Sequence, residues 1–501
     1  MIIREHNWSL AANKQFDVIV IGAGVNGASI YNRLGSKGYK VLILDKGDFS
    51  CGTSQTSAMM IWGGLLYLRN LDISSVYSLS RDRDALIDSG DEQVSSRTMR
   101  YIVSRKQGWN KYLVYSALHL YWLLGHCRRK RPGFEYDFEE LNFLKRDGIH
   151  SSIVYQEGYL RQSDSRFVLD GILSCQSEDS FALNYCAIRE GDYNDHDKLW
   201  SLSLSDVLSN RQCSVKAKVL LNCAGVWTDS VNEQFNIKTP YKHAFSKGVF
   251  IGFKRPDTHR FPLVFEMGEH GDAMALIPWG PVCLWGPTET IAKSIEEGYA
   301  SNSDDIHFLL KHAARNLDSS LAGSDIISIR CGLRPLVVKK DFEADCYPLE
   351  LSRRSRVVED SDLPWISVYG GKISGCISLA EAVAGKVSRR IPQSLEDPKS
   401  PGCMRNEVRW SVFPGIDERV PAIDWCVENE FCCTLEDYLR RRTNISQWVP
   451  RQGLGFHDEH VKTLEHLAFQ LPASYAGSAA DHLRKYVDKV RGDFDRLMKS
   501  I

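Results

Sequence analysis

Residues 16–45, FDVIVIGAGVNGASIYNRLGSKGYKVLILD, contain the pattern that decides the fold. Residues 16–21 form a short apolar run rich in β-branched side chains, which is typical of a buried parallel strand, and residues 39–45 form a second such run. The stretch between them predicts a helix that runs to about Gly38, so the segment is a strand–helix–strand unit. The sequence therefore predicts an α/β fold built on a Rossmann-type parallel sheet.

The turn after the first predicted strand carries three glycines, Gly22, Gly24 and Gly27, in the spacing G-x-G-x-x-G. Glycines at these positions permit a tight turn and a close approach of the backbone to a pyrophosphate. The amino terminus of the following helix then offers free N–H groups and a partial positive charge. Asp45 closes the second strand, where it can accept hydrogen bonds from an adenosine ribose. Together these features predict a dinucleotide site.

NAD and FAD share this motif, and the distribution of further glycine turns favours FAD. Residues 218–224 form another buried strand that ends at Gly225, and residues 365–368 form one that ends at Gly370 and Gly371. Strands that end in glycine turns suit the carboxyl edge of a parallel sheet, where cofactors bind. An extended FAD must be held at several points along a chain, so we expect FAD as the cofactor.

The rest of the chain predicts two further regions. Between about 240 and 350, β-branched runs alternate with Gly/Pro turns, which indicates an antiparallel sheet. Residues 392–401 are proline-containing and are typical of a linker, and the remainder reads as mostly helical. We therefore expect a discontinuous FAD-binding domain at 14–240 and 351–391 with an inserted segment at about 100–160, a substrate-binding antiparallel-sheet domain at 241–350, and a C-terminal helical domain at 402–501.

Composition excludes several classes of protein. The chain of 501 residues has a formal net charge of -1, which argues against nucleic acid as the main partner. Its 14 cysteines include no C-x-x-C pair, which indicates reduced thiols rather than a disulfide framework or a metal site. Residues 1–15 lack the apolar core of a secretory signal, and no window holds 18 apolar residues. We expect a cytoplasmic protein.

One segment suggests contact with a membrane. Residues 109–131, WNKYLVYSALHLYWLLGHCRRKR, join an aromatic, apolar stretch to a basic cluster at 128–131. A helix lying in the membrane interface has this composition, because anionic lipids attract the basic residues. An amphipathic helix that packs on the protein and has a solvated basic end fits equally well. The sequence leaves both interpretations open. Under the first, the protein would be peripheral on the inner face of the membrane.

Six stretches of the sequence occur together in a recognisable order. They are VIGAGVNGASI (20–30), CGTSQTSAMMIWGGLLYL (51–68), LIPWGPVCLWGPTET (276–290), CGLRPL (331–336), VYGGKISG (368–375) and DYLRRRT (437–443). In this combination the chain resembles the FAD-dependent glycerol-3-phosphate dehydrogenases and oxidases, within the D-amino-acid-oxidase-like flavoenzymes. The resemblance extends over nearly the whole chain.

The resemblance implies oxidation of a hydroxyl carbon by hydride transfer to flavin N5, with quinone or oxygen as the final acceptor. It implies that Thr53 and Ser54 line the pyrophosphate and flavin end, and that Gly371 and Lys372 open a helix pointing at the isoalloxazine. Reduced flavin carries negative charge near N1, which a helix amino terminus and an ammonium stabilise. Three more residues are expected to contact the cofactor: Lys46, Ala224 and Gly225.

The chain departs from the family at its substrate positions. Leu66 stands where the family has arginine, Phe250 and Trp62 where it has histidine, and Met59 where it has lysine. The substrate pocket is therefore expected to be less polar, with Trp62, Leu66 and Phe250 against the organic part of the substrate. Glycerol 3-phosphate, a dianion that needs several donors, is expected to be a poor substrate.

Two cations remain for an anionic substrate group, Arg334 and Arg353. The expected catalytic residues are Lys372, Tyr67 and Arg334. Tyr67, Lys372 and His243 are all candidates for the base that takes the hydroxyl proton, and the sequence does not choose among them. Two alternatives stay open, namely oxidation of an amine and a non-catalytic flavoprotein.

Overall fold

A computed structural model describes residues 2–90, 93–104, 109–136, 139–146, 149–266, 273–342, 351, 353–392, 406–475 and 477–501. The helices are α1 Ile3–Ala11, α2 Val25–Ser36, α3 Ile73–Asp88, α4 Lys111–Leu124, α5 Asp164–Leu173, α6 Thr228–Gln234, α7 Ile295–Tyr299, α8 Ser303–Asn316, α9 Cys376–Arg390, α10 Ile423–Asn429, α11 Ile445–Trp448, α12 Val461–Ala468, α13 Ala479–Val490 and α14 Arg496–Met498. The strands are β1 Gln15–Ile21, β2 Val41–Leu44, β3 Met60–Ile61, β4 Val94–Ser104, β5 Gly133–Glu135, β6 Ile149–Leu160, β7 Phe181–Leu183, β8 Cys186–Asn194, β9 Leu199–Asp206, β10 Gln212–Asn222, β11 Tyr241–Lys254, β12 Leu263–Glu266, β13 Ala273–Trp279, β14 Val282–Gly286, β15 Thr290–Ala292, β16 Ile326–Lys339, β17 Arg356–Glu359, β18 Trp365–Tyr369, β19 Trp410–Ser411 and β20 Val420–Pro421.

The first sheet is the predicted Rossmann-type sheet, with the order β17-β18-β10-β1-β2-β7. Its central strands are parallel, and Val20 of β1 pairs with Ile43 of β2 and Leu221 of β10. The central strands are apolar on both faces because α2, α5 and α9 cover one face while α1 and the β8–β9 hairpin cover the other. The prediction of an α/β fold is confirmed. Strand β2 is shorter than predicted, and α2 ends at Ser36 rather than at about Gly38.

The second sheet has the order β15-β11-β14-β13-β12-β4-β6-β3, with β16 paired to β11 and β5 to β6. The predicted antiparallel sheet at 241–350 corresponds to β11–β16. The segment expected as an insertion at about 100–160 contributes β5, β6 and the last part of β4 to this same sheet, and β12 runs parallel to β4. Strand β4 joins the two parts of the sheet, because it pairs with β12 on one side and with β6 on the other. The predicted domain boundaries themselves stay a prediction.

The region after residue 405 is mostly helical, as its sequence indicates. Its helices α10–α14 accompany a short β19–β20 hairpin and a π-helical turn, Asp437–Arg442. Trp425, Tyr438 and Leu464 share one hydrophobic core with Trp285 and Ile251 of the second sheet. Most of the predicted linker at 392–401 lies outside the described residues. The helical region therefore packs against the sheet that lies over the candidate site.

Candidate active site

A cavity of about 2180 Å³ lies at the carboxyl ends of β1, β2, β10 and β18 and extends beneath the second sheet. The predicted cofactor residues that line it are Gly22, Gly24, Asp45, Lys46, Thr53, Ser54, Ala224, Gly225, Gly371 and Lys372. The predicted substrate and catalytic residues that line it are Trp62, Leu66, Tyr67, Phe250, Arg334 and Arg353. The fold thus brings both predicted sets into one continuous space.

The glycine turn is packed too closely for side chains. A Cβ on Gly22, whose φ is +100°, would lie 2.6 Å from the carbonyl oxygen of Cys223, and a Cβ on Gly24 would lie 3.0 Å from Ser54 Oγ. The backbone N–H of Val25 donates to Ser54 Oγ at 2.9 Å. The turn and the amino terminus of α2 therefore form a cradle in which backbone can approach an anion closely.

Gly27 differs from the other two glycines because it does not line the cavity. A Cβ on Gly27 would lie 1.9 Å from the carbonyl oxygen of Gly22. This glycine lets α2 pack tightly under the turn, and its part in cofactor binding stays a prediction.

Asp45 is fixed at the end of β2 by two backbone donors. The N–H of Ala23 reaches its Oδ2 at 2.7 Å, and the N–H of Gly47 reaches its Oδ1 at 2.9 Å. Burial raises the pKa of Asp45 to about 6 against the opposing effect of these donors. The carboxylate oxygens retain further acceptor capacity, so Asp45 could hold a ribose as predicted.

Asn26 connects the glycine turn to the distant turn at Gly370 and Gly371. Its Nδ2 donates to the carbonyl oxygen of Gly370 at 2.8 Å, and a Cβ on Gly371 would lie 2.5 Å from that Nδ2. Asn26 was not predicted as a site residue, although it lies inside the quoted glycine motif. The cradle, the fixed carboxylate and the glycine-lined far end together fit an extended dinucleotide that carries a flavin.

A charged cluster lies deeper in the cavity. Glu289 accepts hydrogen bonds from Arg334 Nη1 at 2.9 Å, from Arg353 Nη2 at 3.0 Å and from the hydroxyl of Ser246. Burial acts to raise the pKa of Glu289, but the two guanidinium groups outweigh it and hold that pKa below its usual value. Arg334 and Arg353 therefore share one carboxylate and together leave one net positive charge facing the cavity. Glu289 was missed, although it lies in the quoted stretch 276–290.

Lys372 and Tyr67 meet across the cavity. The Nζ of Lys372 donates to the hydroxyl of Tyr67 and lies 4.2 Å from the centre of its ring. Burial, assisted by the charge of Arg353, lowers the pKa of Lys372 to about 7. Burial raises the pKa of Tyr67. Near neutral pH the pair therefore contains a phenol and an amine that can exchange a proton with a ligand.

His243 is wrong as a candidate base that faces the ligand. Its Nε2 accepts a hydrogen bond from the backbone N–H of Gly370 at 3.2 Å, and its Nδ1 lies 3.5 Å from Asp229 Oδ2. His243 does not line the cavity, and its ring is fully covered. It supports the Gly370 turn from behind.

The fold and the site define a flavoprotein oxidoreductase with a Rossmann-type dinucleotide site under an antiparallel substrate sheet. Residues 17–350 match the family described as "DAO: FAD dependent oxidoreductase", and the chain belongs to this family. Its cofactor is therefore FAD, as the further glycine turns at Gly225 and at Gly370 and Gly371 predict. The predicted resemblance is confirmed.

Comparison with individual proteins agrees with this assignment. An aerobic glycerol-3-phosphate dehydrogenase of Staphylococcus aureus is 25% identical over 397 residues, which cover 77% of this chain and 70% of that protein. The crystal structure of the glycerol-3-phosphate dehydrogenase from Bacillus halodurans complexed with FAD superposes with a TM-score of 0.72 at 16% identity, covering 98% of both chains. The glycine oxidase of Geobacillus kaustophilus gives a TM-score of 0.52 at 14% identity, covering 78% of this chain and 100% of its own. The protein is thus an FAD-dependent oxidoreductase of the DAO family, and it is similar both to glycerol-3-phosphate dehydrogenases and to a glycine oxidase.

Proposed function

We propose that this protein oxidises a hydroxyl carbon of a small anionic organic substrate. The observation that carries the proposal is the arrangement of Arg334 and Arg353 beside the Lys372–Tyr67 pair in one cavity with the dinucleotide cradle. An anion-binding group and a proton acceptor are the two protein functions that such an oxidation needs.

Lys372 is the proposed base. With a pKa of about 7 its amine is available near neutral pH, whereas the raised pKa of Tyr67 keeps the phenol protonated. The substrate hydroxyl gives its proton to Lys372, and Tyr67 orients the amine by hydrogen bonding. FAD, when bound, supplies the acceptor for the hydride that leaves the carbinol carbon. Loss of this proton and this hydride leaves a carbonyl group.

The cluster of Arg334, Arg353 and Glu289 favours a substrate group with one negative charge. Two guanidinium groups and the Glu289 carboxylate give one net positive charge, which matches a carboxylate better than a phosphate dianion. Trp62 and Phe250 add an apolar wall, and Leu66 replaces the family's arginine. The charge therefore favours a carboxylated alcohol, and the apolar wall favours a substrate bulkier than glycerol 3-phosphate, which is the basis for keeping a larger phosphorylated alcohol as the second choice.

An anaerobic substrate screen tests this proposal. Hydroxy acids and phosphorylated alcohols are mixed with the holoenzyme, and loss of flavin absorbance is recorded. We expect bleaching by at least one hydroxylated anion, and weaker apparent affinity for it in Arg334→Met. Bleaching by amines alone would overturn the proposal.

Amine oxidation is the second candidate function. Glu289 supports it, because a carboxylate between two arginines could receive a substrate ammonium while Arg334 takes a carboxylate. The glycine oxidase fold match is compatible with it as well. Release of ammonia during turnover would identify this reaction. Failure of every compound to bleach the flavin would favour a non-catalytic flavoprotein.

We further propose that α4 contacts an anionic membrane surface, where a quinone would serve as electron acceptor. Val114, Leu118 and Tyr121 are buried against the protein, whereas the opposite side of the segment exposes five large apolar side chains. These exposed residues are Trp109, Tyr112, Leu113, Leu120 and Leu123. The helix thus has one face packed on the protein and one exposed apolar face. Packing on the protein and contact with a membrane, the two interpretations of the sequence, are therefore compatible.

The chain between 109 and 131 would lie on the membrane and not cross it. Among the described residues, no helix has the length and hydropathy that crossing a bilayer requires. Oxygen is the alternative acceptor, and turnover with a soluble quinone compared with turnover in air distinguishes the two.

A further inference from the structure

The π-helical turn Asp437–Arg442 carries three consecutive arginines that reach out of the C-terminal helical region. All three bond to the stretch that follows β2, between Asp48 and Gln55. Other residues of that stretch line the cofactor cavity, including Thr53 and Ser54. The turn therefore connects a distant part of the chain directly to the wall of the cofactor site.

Arg441 and Arg442 hold the beginning of this stretch through Asp48. Arg441 Nε lies 2.6 Å from Asp48 Oδ2, and Arg442 Nη2 lies 2.8 Å from Asp48 Oδ1. All three side chains are almost completely buried. Because the two guanidinium groups outweigh the effect of burial, the pKa of Asp48 lies below its usual value. Asp48 and the two arginines therefore all stay charged throughout the physiological pH range.

Arg440 holds the end of the stretch together with Arg330 of β16. Both donate to the backbone carbonyl of Gln55, Arg330 Nη2 at 2.9 Å, and Arg330 also reaches the carbonyl of Ser57 at 3.0 Å. Arg441 Nη1 adds a bond to Gln55 Oε1 at 3.2 Å. Three cations thus converge on one residue whose neighbours on both sides line the cavity.

We propose that Arg440, Arg441 and Arg442 are positioning residues for FAD, and that the C-terminal helical region serves to hold the Asp48–Gln55 stretch in its cofactor-binding conformation. The geometry is poorly suited to a purely stabilising contact. Arg440 Nη1 is buried without a hydrogen-bond partner among the described residues, and a second guanidinium lies nearby. Apolar residues would stabilise such an interface at least as well. The proposal depends on the FAD assignment and not on the substrate.

The rate of FAD release tests the proposal. Holoenzyme is diluted, and the rise of free FAD fluorescence gives the release rate for Arg440→Met, for Arg440→Lys and for the control Arg451→Met. Arg451 binds Asp458 and Asp495 within the helical region, so its loss weakens that region without touching the cofactor stretch. We expect release at least about tenfold faster in Arg440→Met, largely restored in Arg440→Lys, and within about twofold of the unaltered protein in Arg451→Met. Equal release rates in Arg440→Met and the unaltered protein, or equal acceleration in Arg451→Met, would overturn the proposal.

A second measurement needs no variant, which covers the case in which Arg440→Met does not fold. Coupling between sites is reciprocal, so FAD must stabilise the segment that positions it. Hydrogen exchange of the full chain is compared with and without FAD. We expect FAD to slow exchange in Asp437–Arg442 more than in the control helix α13, Ala479–Val490, of the same region. Equal protection of both segments contradicts a positioning role.

Discussion

The Nζ atom of Lys372 donates a hydrogen bond to the hydroxyl of Tyr67 and lies over its ring, 4.2 Å from the centre, so the two side chains form one unit in the cavity. Lys372 comes from the turn after β18, whereas Tyr67 lies in a short helical turn more than three hundred positions earlier. In the proposed reaction, Lys372 of this pair accepts the proton of the substrate hydroxyl.

The first prediction concerns the pH dependence of flavin reduction. A lysine with a lowered pKa of about 7 is neutral above that pH and charged below it, so a basic role requires the rate at saturating substrate to fall as pH decreases through about 7. Lys372→Met should slow reduction by about a hundredfold or more and remove this pH dependence. Stopped-flow absorbance measures both, with Tyr67→Phe as the control that keeps the ring. An unchanged pH profile in Lys372→Met would assign the proton to another group.

The second prediction concerns Gly24. Gly24→Leu places a side chain against Ser54 in the cradle, so the purified protein should be colourless. Gly385→Leu is the matched control, because Gly385 lies on the exposed side of α9 with nothing within 4 Å of its Cβ position. The control should keep its yellow colour. A yellow Gly24→Leu protein with normal FAD content would show that this turn does not approach the pyrophosphate.

The third prediction concerns Arg334. Arg334→Met removes a charge-assisted contact, so the Michaelis constant should rise about 10- to 100-fold with a smaller change in turnover. The same change removes one of the two arginines that hydrogen-bond to the buried carboxylate of Glu289 among the described residues. The double variant Arg334→Met with Glu289→Gln separates the two effects. Recovery of the Michaelis constant in the double variant would indicate that Arg334 serves Glu289 rather than the substrate.

The fourth prediction concerns glycerol 3-phosphate. It should be a poor substrate, because the side chains of Leu66 and Phe250 provide no donors at positions where the sequence resemblance leads us to expect arginine and histidine. Leu66→Arg with Phe250→His should raise kcat/KM for it, whereas Leu66→Met with Phe250→Leu, which preserves apolar character, should not. Steady-state assays of the three proteins decide the matter. Efficient turnover of glycerol 3-phosphate by the unaltered protein contradicts our interpretation of the pocket.

The fifth prediction concerns the membrane surface. The protein should sediment with anionic vesicles at low salt and be released at high salt, since the Debye length falls to about 3 Å at 1 M. Arg128→Gln with Lys130→Gln should weaken binding, as should Leu113→Ser with Leu123→Ser. Arg129 is left unchanged, because it binds Asp84 and Asp88.

Phe469→Ser is the matched control for the apolar variants. Phe469 is 70% exposed but lies outside the proposed surface, so its replacement should leave vesicle binding unaffected. Equal vesicle binding by all the variants, or no binding by the unaltered protein, would show that α4 only packs on the protein and does not bind a membrane.

The sequence predicts the nucleotide site well because that site is built from local geometry. The strand, the glycine turn and the acid at its fixed distance occur within 30 consecutive positions, 16–45, and each has a single physical explanation. The structure brings Asp45 and Gly24 to the cavity as predicted, whereas Gly27 acts through packing. A motif identifies which positions must be glycine, but not which of them faces the ligand.

The charged cluster could not be predicted in the same way. Arg334 was identified through a family motif, but its partner Glu289 was not. Glu289 comes just before β15, and β15 and β16 both pair with β11, in which Ser246 lies opposite Arg334. Such pairing depends on strand register, which one sequence does not reveal. Strand geometry also explains why His243 was wrongly considered as a base. Successive side chains along β11 point to opposite faces, and that of His243 points toward Gly370.

The order of the strands in the first sheet has a consequence for how the protein is made. Strand β1 is synthesised early, but β18, which joins it through β10 and leads into Lys372, follows about 350 positions later. At roughly 5–20 residues per second, a ribosome needs on the order of tens of seconds to cover that distance. A nascent chain that stops before β18 leaves part of the edge of β10 unpaired. It also lacks Gly370, Gly371 and Lys372, which line the cavity. Loading with FAD is therefore expected late in synthesis, after β18 has joined the sheet.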